Sequence, residues 1–310
     1  MKRGIALSVL SSVLFALLYY YATVLRPLDG DEIFSWRVLL ALPALALLIS
    51  RARAWGEIVT IARRLRSDSK LWLLLLLSAG LIGVQLWLFV WAPLHQKGLD
   101  VSLGYFLLPL VMVAVGRSFY HERLSTVQTV ALAIAMLGVG HELIRVNSFS
   151  WVTALVMFGY PPYFMLRRAM RFGSLTALWF DMILLIPPAV LILHTRGGGV
   201  ISRFSEMPHL FWQIPVLGLI SSVALVCYFT ASRILPLGLF GIMGYIEPVL
   251  LFWVAFLLLN ENMSADAWWT YIPIWIAVMM IVLEGGYVWI RGDTARATAP
   301  RASKSKPPVG

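Results

Sequence analysis

The chain of 310 residues is 60% hydrophobic and only 13% charged, with a formal net charge of +10. A soluble globular domain carries about 25% charged residues, so this composition excludes an ordinary soluble protein and predicts one that lies within a membrane. Neither an aromatic-interleaved basic surface nor a nucleic-acid-binding motif accompanies the positive charge. We therefore assign the charge to membrane topology and anionic lipid, not to nucleic acid.

Ten apolar stretches of membrane-crossing length follow one another along the chain. An apolar helix of roughly 20 residues crosses a hydrocarbon core of about 30 Å with every backbone polar group satisfied internally. The first stretch follows Lys2 and Arg3 but is too long for the apolar region of a signal peptide, so we interpret it as a retained helix. In chain order, the predicted spans are 4–25, 31–50, 71–93, 100–119, 125–143, 150–167, 174–194, 209–231, 236–259 and 267–290.

Two segments are expected to lie outside the bilayer. Residues 51–70 place apolar side chains at helical spacing, which indicates either an amphipathic helix on the inner leaflet or a solvated loop. Residues 291–310 mix Arg, Lys, Ala, Ser and Pro with little to bury, so we predict a disordered, basic cytoplasmic tail. The apolar positions of the first segment are Trp55, Ile58, Val59, Ala62 and Leu65.

The arginines and lysines fall almost entirely in every second gap between the spans. If the N-terminus is cytoplasmic, 19 of them lie inside and 5 outside, while Arg37 lies within a span. Short loops on the cytoplasmic side of membrane proteins carry an excess of these residues. We therefore predict that both termini face the cytoplasm.

The two halves of the chain share a pair of landmarks at one fixed offset. Pro109 is followed thirteen residues later by Glu122, and Pro248 thirteen residues later by Glu261, so both landmarks shift by 139 residues. An aromatic residue stands three positions before each proline, and an apolar run follows it. This agreement favours an internal duplication.

The duplication divides the membrane region into residues 1–145 and residues 146–290, each with five predicted spans. Because five is odd, the second repeat must enter the membrane in the opposite sense to the first. Inverted repeats are typical of secondary transporters, which bind their substrate near the midplane between the repeats. We therefore predict an all-α membrane protein with ten helices in two inverted five-helix repeats.

A series of further landmarks runs in order over nearly the whole membrane region. They are Asp31-Glu32-Ile33 with Arg37, Leu88 to Ala92, Ser102 to Phe106 with Pro109-Leu110, Glu122-Arg123-Leu124, Tyr163 with Leu166-Arg167-Arg168, Asp181 with Leu184-Leu185 and Pro187, Arg233 with Leu235-Pro236-Leu237, Tyr245-Ile246 with Pro248, and Glu261. With them the chain resembles the drug/metabolite transporter superfamily in its ten-helix EamA-type form, and most of all the chloramphenicol-associated RarD-type permeases. The resemblance implies a permease of the bacterial inner membrane that exports metabolites, amino acids or drug-like compounds, without a cofactor and without enzymatic activity.

The chain departs from the family pattern at several polar positions. Leu108 and Met112 stand where Asn is usual, Gly244 replaces a usual Gln, and Glu247 replaces a small residue. Several groups that could line a pathway are thus missing, and one acid is added. The resemblance therefore transfers the fold but not the substrate.

Three charged residues inside the predicted spans are candidates for a substrate pathway, because a charge at the bilayer centre costs about 2.5–3.5 kcal/mol. Glu247 lies near the midplane beside Pro248, which interrupts helical hydrogen bonding; it either lines a substrate or proton path or bonds a neighbouring helix. Asp181, two turns into the seventh span, has the same two interpretations. Arg37 lies about 9 Å into its span. It either extends outward or pairs with Glu32, or it points inward to an anionic group or to Glu247.

Several deep aromatic residues and one glutamine could wall a cavity in the membrane. The ring of Tyr or Trp offers flat apolar area and one hydrogen-bond donor, which suits loosely specific binding of amphipathic solutes. For each of them, packing between helices is the competing interpretation. The candidates are Gln85, Trp87, Trp91, Tyr105, Tyr163 and Tyr245.

No metal or cofactor site is predicted. The five histidines fall near span ends without a ligand-spaced pair, Cys227 is the single cysteine, and the chain has no P-loop. The intramembrane acids are scattered singly, which speaks against an intramembrane enzyme.

The sequence therefore favours a secondary transporter that moves small organic solutes by alternating access of the two repeats. Its partners would be the solute and the lipid bilayer. Proton coupling through Glu247 or Asp181 and uncoupled facilitated diffusion fit equally well. The alternative is a non-transporting membrane scaffold or sensor, which would need a soluble output module.

Overall fold

The computed structural model describes residues 2–120, 125–146, 150–196, 204–205, 207–235, 240 and 243–298. Among these residues we number eleven α-helices: α1 (Lys2–Val24), α2 (Gly30–Arg51), α3 (Trp55–Ser67), α4 (Ser69–Trp91), α5 (Gly98–Tyr120), α6 (Thr126–Val146), α7 (Trp151–Met170), α8 (Ser174–Thr195), α9 (Leu210–Ile234), α10 (Ile246–Trp253) and α11 (Trp268–Thr298). Short 3₁₀ helices cover Ala92–His95 and Ala265–Ala267, and a π-helix continues α10 over Val254–Leu258.

The all-helical prediction is confirmed for the described residues, and each predicted span overlaps one of these helices. Among the described residues, six stretches are long and apolar enough to cross a membrane: Lys2–Val24, Gly30–Arg51, Ser69–His95, Leu175–Thr195, Leu210–Ser232 and Ala265–Glu284. The helices Gly98–Met112, Thr126–His141 and Ile246–Leu258 are apolar but shorter. This is the pattern of a multi-pass membrane protein, while the number of ten crossings stays a prediction.

Between α2 and α4, the chain forms a helix rather than the solvated loop that was the alternative. Ile61 and Leu65 of α3 pack with Met170 at the end of α7. Trp55 and Val59, which also belong to the predicted apolar stripe, are exposed. Apolar side chains exposed on an otherwise charged helix are typical of a helix that lies on a membrane surface.

The ninth predicted span, 236–259, is not one continuous helix in its described part. A turn at Gly244 and Tyr245 precedes α10, which begins only at Ile246. Pro248 has no N–H to bond to the carbonyl four residues earlier, so it fits the first turn of a helix better than its interior. This interruption places Glu247 in the first turn of α10.

The chain leaves α10 in a turn that directs Glu261 onto the beginning of α5. Asn260 adopts a left-handed φ of 51°, a conformation that Asn tolerates better than most residues at the end of a helix. The Glu261 carboxylate then accepts the backbone N–H groups of Gly98 at 2.6 Å and of Leu99 at 2.8 Å. The first N–H groups of a helix have no partner within it, so Glu261 caps α5 from a distant part of the chain. Glu122, its counterpart in the first repeat, lies outside the described residues.

The last helix extends further than predicted. α11 continues to Thr298, eight residues beyond the end of the predicted span at residue 290, while the disordered tail over 291–310 stays a prediction. Arg and Ala are strong helix formers, and the first proline beyond α11 is Pro300. The rest of the predicted tail lies outside the described residues.

The packing of the helices has an internal regularity. Nine helix pairs make the most extensive contacts between the two halves of the chain: α1–α9 and α4–α7, α1–α10 and α5–α7, α2–α9 and α4–α8, and the pairs α2–α8, α5–α10 and α6–α11. The pairs have a symmetry when α1, α2, α4, α5 and α6 are matched, in this order, with α7, α8, α9, α10 and α11. Exchanging each helix for its match turns each of the first three couples of pairs into itself, with its two members swapped. The last three pairs stay unchanged.

Polar contacts join segments that the predicted topology places on the same side of the membrane. At one end, Arg196 after α8 pairs with Asp31 in the first turn of α2 at 3.0 Å. At the other end, the Glu57 carboxylate of α3 accepts the Gly173 N–H before α8 at 3.0 Å. The first pair belongs to the predicted outer side and the second to the inner side.

Candidate functional site

A cavity of about 240 Å³ lies among α1, α5, α9 and α10. Because α1 and α5 belong to the first half of the chain and α9 and α10 to the second, the cavity lies between the halves. Its polar and aromatic wall includes Ser8, Ser11, Ser12, Tyr105, Tyr228, Phe240, Tyr245 and Glu247.

The α1 wall of the cavity is small and polar. The hydroxyls of Ser11 and Ser12 donate to the Ser8 carbonyl at 2.7 and 3.2 Å, so their protons are used inside the helix. The lone pairs of these hydroxyl oxygens remain available. Ser11 and Ser12 therefore present hydrogen-bond acceptors on this side of the cavity.

Glu247 is the one formally charged residue among the described residues that line the cavity. It interacts electrostatically with Arg37 of α2 and with Tyr105, Tyr160 and Tyr228. Within the described part of the chain, its carboxylate has neither an ion pair within 4 Å nor a hydrogen bond from a side chain.

Arg37 lies behind the cavity wall and not in it. Its guanidinium donates to the Leu86 carbonyl at 3.4 Å and lies 5.3 Å from the centre of the Phe89 ring, so it is held against α4. Its Nε is buried without a hydrogen-bond partner. Among the described contacts, Arg37 has no ion pair with Glu32, which accepts the Asp29 N–H at 3.0 Å and caps α2.

Two tyrosines link the cavity wall to α7. The hydroxyls of Tyr105 and Tyr160 share a hydrogen bond of 2.9 Å. Tyr105 therefore lines the cavity while its hydroxyl is engaged by Tyr160. Of the nine predicted residues, the structure brings Tyr105, Tyr245 and Glu247 together at the cavity, with Arg37 behind them.

Asp181 and Tyr163 lie in a separate polar cluster. The Asp181 carboxylate is fully buried and accepts the hydroxyls of Ser78 at 3.1 Å and Tyr163 at 3.3 Å. It also pairs with Arg167 at 3.3 Å. These contacts tie α8 to α4 and α7. Asp181 therefore has the geometry of an inter-helix bond, the second of its two interpretations.

Gln85 lies at the contact between α4 and α7. Its side-chain amide donates to the Leu155 carbonyl at 2.7 Å, while its Oε1 is buried without a partner. The amide approaches Gly159 so closely that a Cβ at this position would collide with it. Gln85 is thus a packing residue in this structure and does not line the cavity.

Trp87 and Trp91 lie near the end of α4 and not beside the cavity. The Trp87 indole donates to Asp31 at 2.7 Å, and the Trp91 ring stacks on His95 with centres 4.0 Å apart. Asp31 also receives Arg196, so these aromatic rings belong to the polar cluster at that end of the bundle. Trp87 and Trp91 are therefore not among the residues that line this cavity, and their contacts lie at the Asp31 end of α4.

Several residues near the cavity were not predicted from the sequence. The serines of α1 recur at positions i, i+3 and i+4, which places them on one helix face, and this spacing could have revealed them. Tyr160 and Tyr228 carry no comparable signal, since tyrosines in apolar helices pack against neighbours in any direction.

Comparison with known proteins gives relatives over nearly the whole chain. The chain is 44% identical over 278 residues to the chloramphenicol-sensitive protein RarD of Pseudomonas aeruginosa, and the match covers 90% of this chain and 93% of the relative. It is 35% identical to an uncharacterized transporter of Pasteurella multocida, with coverage of 92% and 97%. It is 27% identical to protein RarD of Escherichia coli, with coverage of 92% and 96%. No protein-family model matches the chain.

Proposed function

Since the chain belongs to the RarD-type permeases of the drug/metabolite transporter superfamily, we propose that it carries small organic solutes across the bacterial inner membrane by alternating access. Its relatives include named transporters at over 90% coverage of both chains, so the chain is a membrane transporter. The name of the Pseudomonas relative adds drug-like compounds to metabolites and amino acids as solutes to test.

The observation that carries this proposal is the cavity between the two halves of the chain. Transporters with inverted repeats bind their substrate at the repeat interface, often beside an interrupted helix. Here, the interruption before α10 places Glu247 in the wall of a cavity shared by both halves. The exchange pattern of the helix pairs supports two repeats that pack through equivalent surfaces.

The polar contacts at the two ends support alternating access. The cavity lies toward the beginning of α1 and the end of α9, where Ser8 and Tyr228 line it. At the opposite end, Glu261 of the second half holds the beginning of α5 in the first half. One state of such a carrier requires a cavity toward one end and closed contacts at the other, and the Glu261 contacts close α5 there. The contact of Glu57 with Gly173, which also joins the halves at the cavity's end, involves residues outside the cavity lining. The opposite state would need the Glu261 contacts to open.

Transport is driven either by exchange of solute for a proton on Glu247 or by the solute gradient alone. Glu247 suits the first mode because it belongs to the cavity wall, and a solute can reach it. The charged and titratable groups around it are Arg37, Tyr105, Tyr160 and Tyr228. Asp181 is a weaker candidate carrier, since its carboxylate is engaged by Arg167, Tyr163 and Ser78.

Solute uptake into proteoliposomes tests the proposal. Purified protein is reconstituted, and the uptake of a panel of metabolites, amino acids and antibiotics is measured with and without an imposed pH gradient. We expect at least one solute to enter faster than into protein-free vesicles. Uptake of every solute at the protein-free rate would contradict the transport function.

A pair of carboxylate variants separates the two driving modes. In the proton-coupled mode, Glu247→Gln loses the acceleration by a pH gradient, whereas Glu284→Gln on α11, outside the cavity wall, keeps it. Gradient-driven uptake that persists in Glu247→Gln would remove this residue as the proton carrier.

A further inference from the structure

We propose that the cavity selects small organic cations, namely protonated amines attached to a single apolar or aromatic ring, with Glu247 as the counter-charge. This inference names the solute class of the transport function proposed above and rests on it. It follows from the charge, the hydrogen-bonding capacity and the size of the cavity.

The charge argument compares two acids that are both in membrane helices. Asp181 has Arg167 at 3.3 Å and two hydroxyl donors, so the protein itself satisfies its charge. Glu247 has no such contact among the described residues, and Arg37 acts on it only from behind the wall. An unpaired carboxylate inside a membrane protein is costly. A cationic solute would supply the direct partner that the protein lacks.

The hydrogen-bonding capacity of the wall points in the same direction. The hydroxyls of Ser11 and Ser12 donate hydrogen bonds to the Ser8 carbonyl, and their oxygens keep lone pairs that can accept. An ammonium group brings three donors and no acceptor, which matches such a wall. A carboxylate solute could take hydrogen bonds from the hydroxyls of Tyr228 and Tyr245 but would meet the like charge of Glu247.

Aromatic rings complete the fit. Tyr105, Tyr228 and Tyr245 line the cavity together with Phe240. A cation over the face of such a ring is attracted by about 0.5–1 kcal/mol at exposed sites and by about 2 kcal/mol when desolvated. The same rings provide apolar area for the body of the solute.

The volume limits the size of the solute. Sites for drug-sized ligands measure about 300–1,000 Å³, and this cavity measures about 240 Å³. It therefore suits a solute of one ring and a short side chain rather than a larger compound.

Four solutes that share a phenyl ring isolate the effect of charge. They are phenethylamine (cation), 2-phenylethanol (neutral), phenylacetate (anion) and phenylalanine (zwitterion) at pH 7. Binding to the purified full chain is measured by isothermal titration calorimetry. We expect phenethylamine to bind at least about 10-fold more tightly than 2-phenylethanol, because a hydrogen bond to a charged group is stronger than a neutral one. Phenylacetate should bind least, and phenylalanine should bind less tightly than the amine because Arg37 does not line the cavity.

Two variants assign the selectivity to Glu247. Glu247→Gln should bring the amine and the alcohol to within about 3-fold of each other. The matched control Glu284→Gln should keep the native preference. The series on the native protein needs no variant, so it tests the inference even if Glu247→Gln does not fold, which its gel-filtration profile and thermal unfolding would reveal.

Several results would overturn the inference. They are equal affinity for phenethylamine and 2-phenylethanol in the native protein, a preference for phenylacetate or phenylalanine, and an unchanged preference in a folded Glu247→Gln variant. The failure of the transport function looks different. Charge-selective binding without uptake into proteoliposomes would contradict transport alone, while equal uptake of amine and alcohol would contradict the solute class alone.

Discussion

Three acidic residues within the described bundle have different surroundings, and these differences assign them different roles. Asp181 is saturated by an arginine and two hydroxyls, and it holds three helices together. Glu261 accepts two backbone N–H groups and caps a helix. Glu247 borders a cavity without a direct partner among the described residues. The Glu247 carboxylate is therefore available to a ligand, whereas the carboxylates of Asp181 and Glu261 are engaged by contacts within the protein.

The Glu261 cap predicts a specific pH dependence of stability. Burial raises the pKa of the Glu261 carboxyl above its ordinary value of 4.5, and the N–H groups of Leu99 and Gly98 offset part of the rise. Because the folded state binds this proton more tightly than the unfolded state, stability falls as the pH rises from about 4.5 through the raised pKa. We expect the apparent melting temperature of the purified protein to drop by a few degrees across this window.

A comparison of variants identifies Glu261 as the source of this slope. Glu261→Gln cannot ionise, so the part of the slope that Glu261 contributes should vanish in this variant. Asp266→Asn removes a nearby exposed acid and should keep the native slope. Asp100 and Lys97 also act on Glu261 electrostatically, and Tyr19 interacts with it in turn, so all measurements use one ionic strength. A Glu261→Gln variant with the full native slope would contradict the assignment.

At the scale of elements, the contact between α4 and α7 depends on the absence of a side chain at Gly159. Gly159→Ala would place a Cβ against the Gln85 amide and break its bond to the Leu155 carbonyl. We expect a loss of about 1–3 kcal/mol in the free energy of unfolding, since a buried amide would lose its partner. The measurement is thermal or denaturant unfolding in detergent.

Two further variants separate this collision from a general effect of alanine. A Cβ added at Gly80 on α4 would point into open space, so Gly80→Ala should be neutral or stabilising. In Gly159→Ala combined with Gln85→Ala, the colliding amide is gone, and the two changes should cost less together than the sum of their separate costs. Strict additivity would show that the Gln85 contact does not explain the effect.

The helices were predictable from the sequence because apolar runs of membrane length leave few other structures open. The break before Pro248 was also foreseeable from proline chemistry, although the point where α10 begins was not. The sequence could not separate Trp87 and Trp91 from the cavity or place Asp181 beside Arg167. Those outcomes depend on which neighbour each helix face meets, and apolarity around a membrane helix does not encode that choice.

For the whole molecule, the exchange pattern of the helix pairs is the strongest sign of an internal duplication. Sequence landmarks at one offset could arise by chance in apolar helices, but contacts are a separate observation. Each of the nine main pairings between the halves has its counterpart or is its own counterpart. Such a pattern follows if two equivalent units pack around a two-fold axis. If each unit has the five predicted spans, this axis would lie in the membrane plane and the units would be inverted.

The inverted arrangement predicts the accessibility of two corresponding loops. Thr126 at the beginning of α6 and Asn262 after α10 follow the corresponding landmarks Glu122 and Glu261, so inversion places them on opposite sides of the membrane. The single native cysteine is first replaced by Cys227→Ala. Thr126→Cys or Asn262→Cys is then introduced, and intact cells are treated with a membrane-impermeant maleimide. We expect Asn262→Cys to react in intact cells, and Thr126→Cys only after permeabilisation.

Ser67→Cys at the end of α3 and Lys97→Cys before α5 serve as inner and outer references. Reaction of both loop cysteines from one side would mean that the repeats run in the same sense, and the two-fold exchange on which alternating access depends would lose its basis.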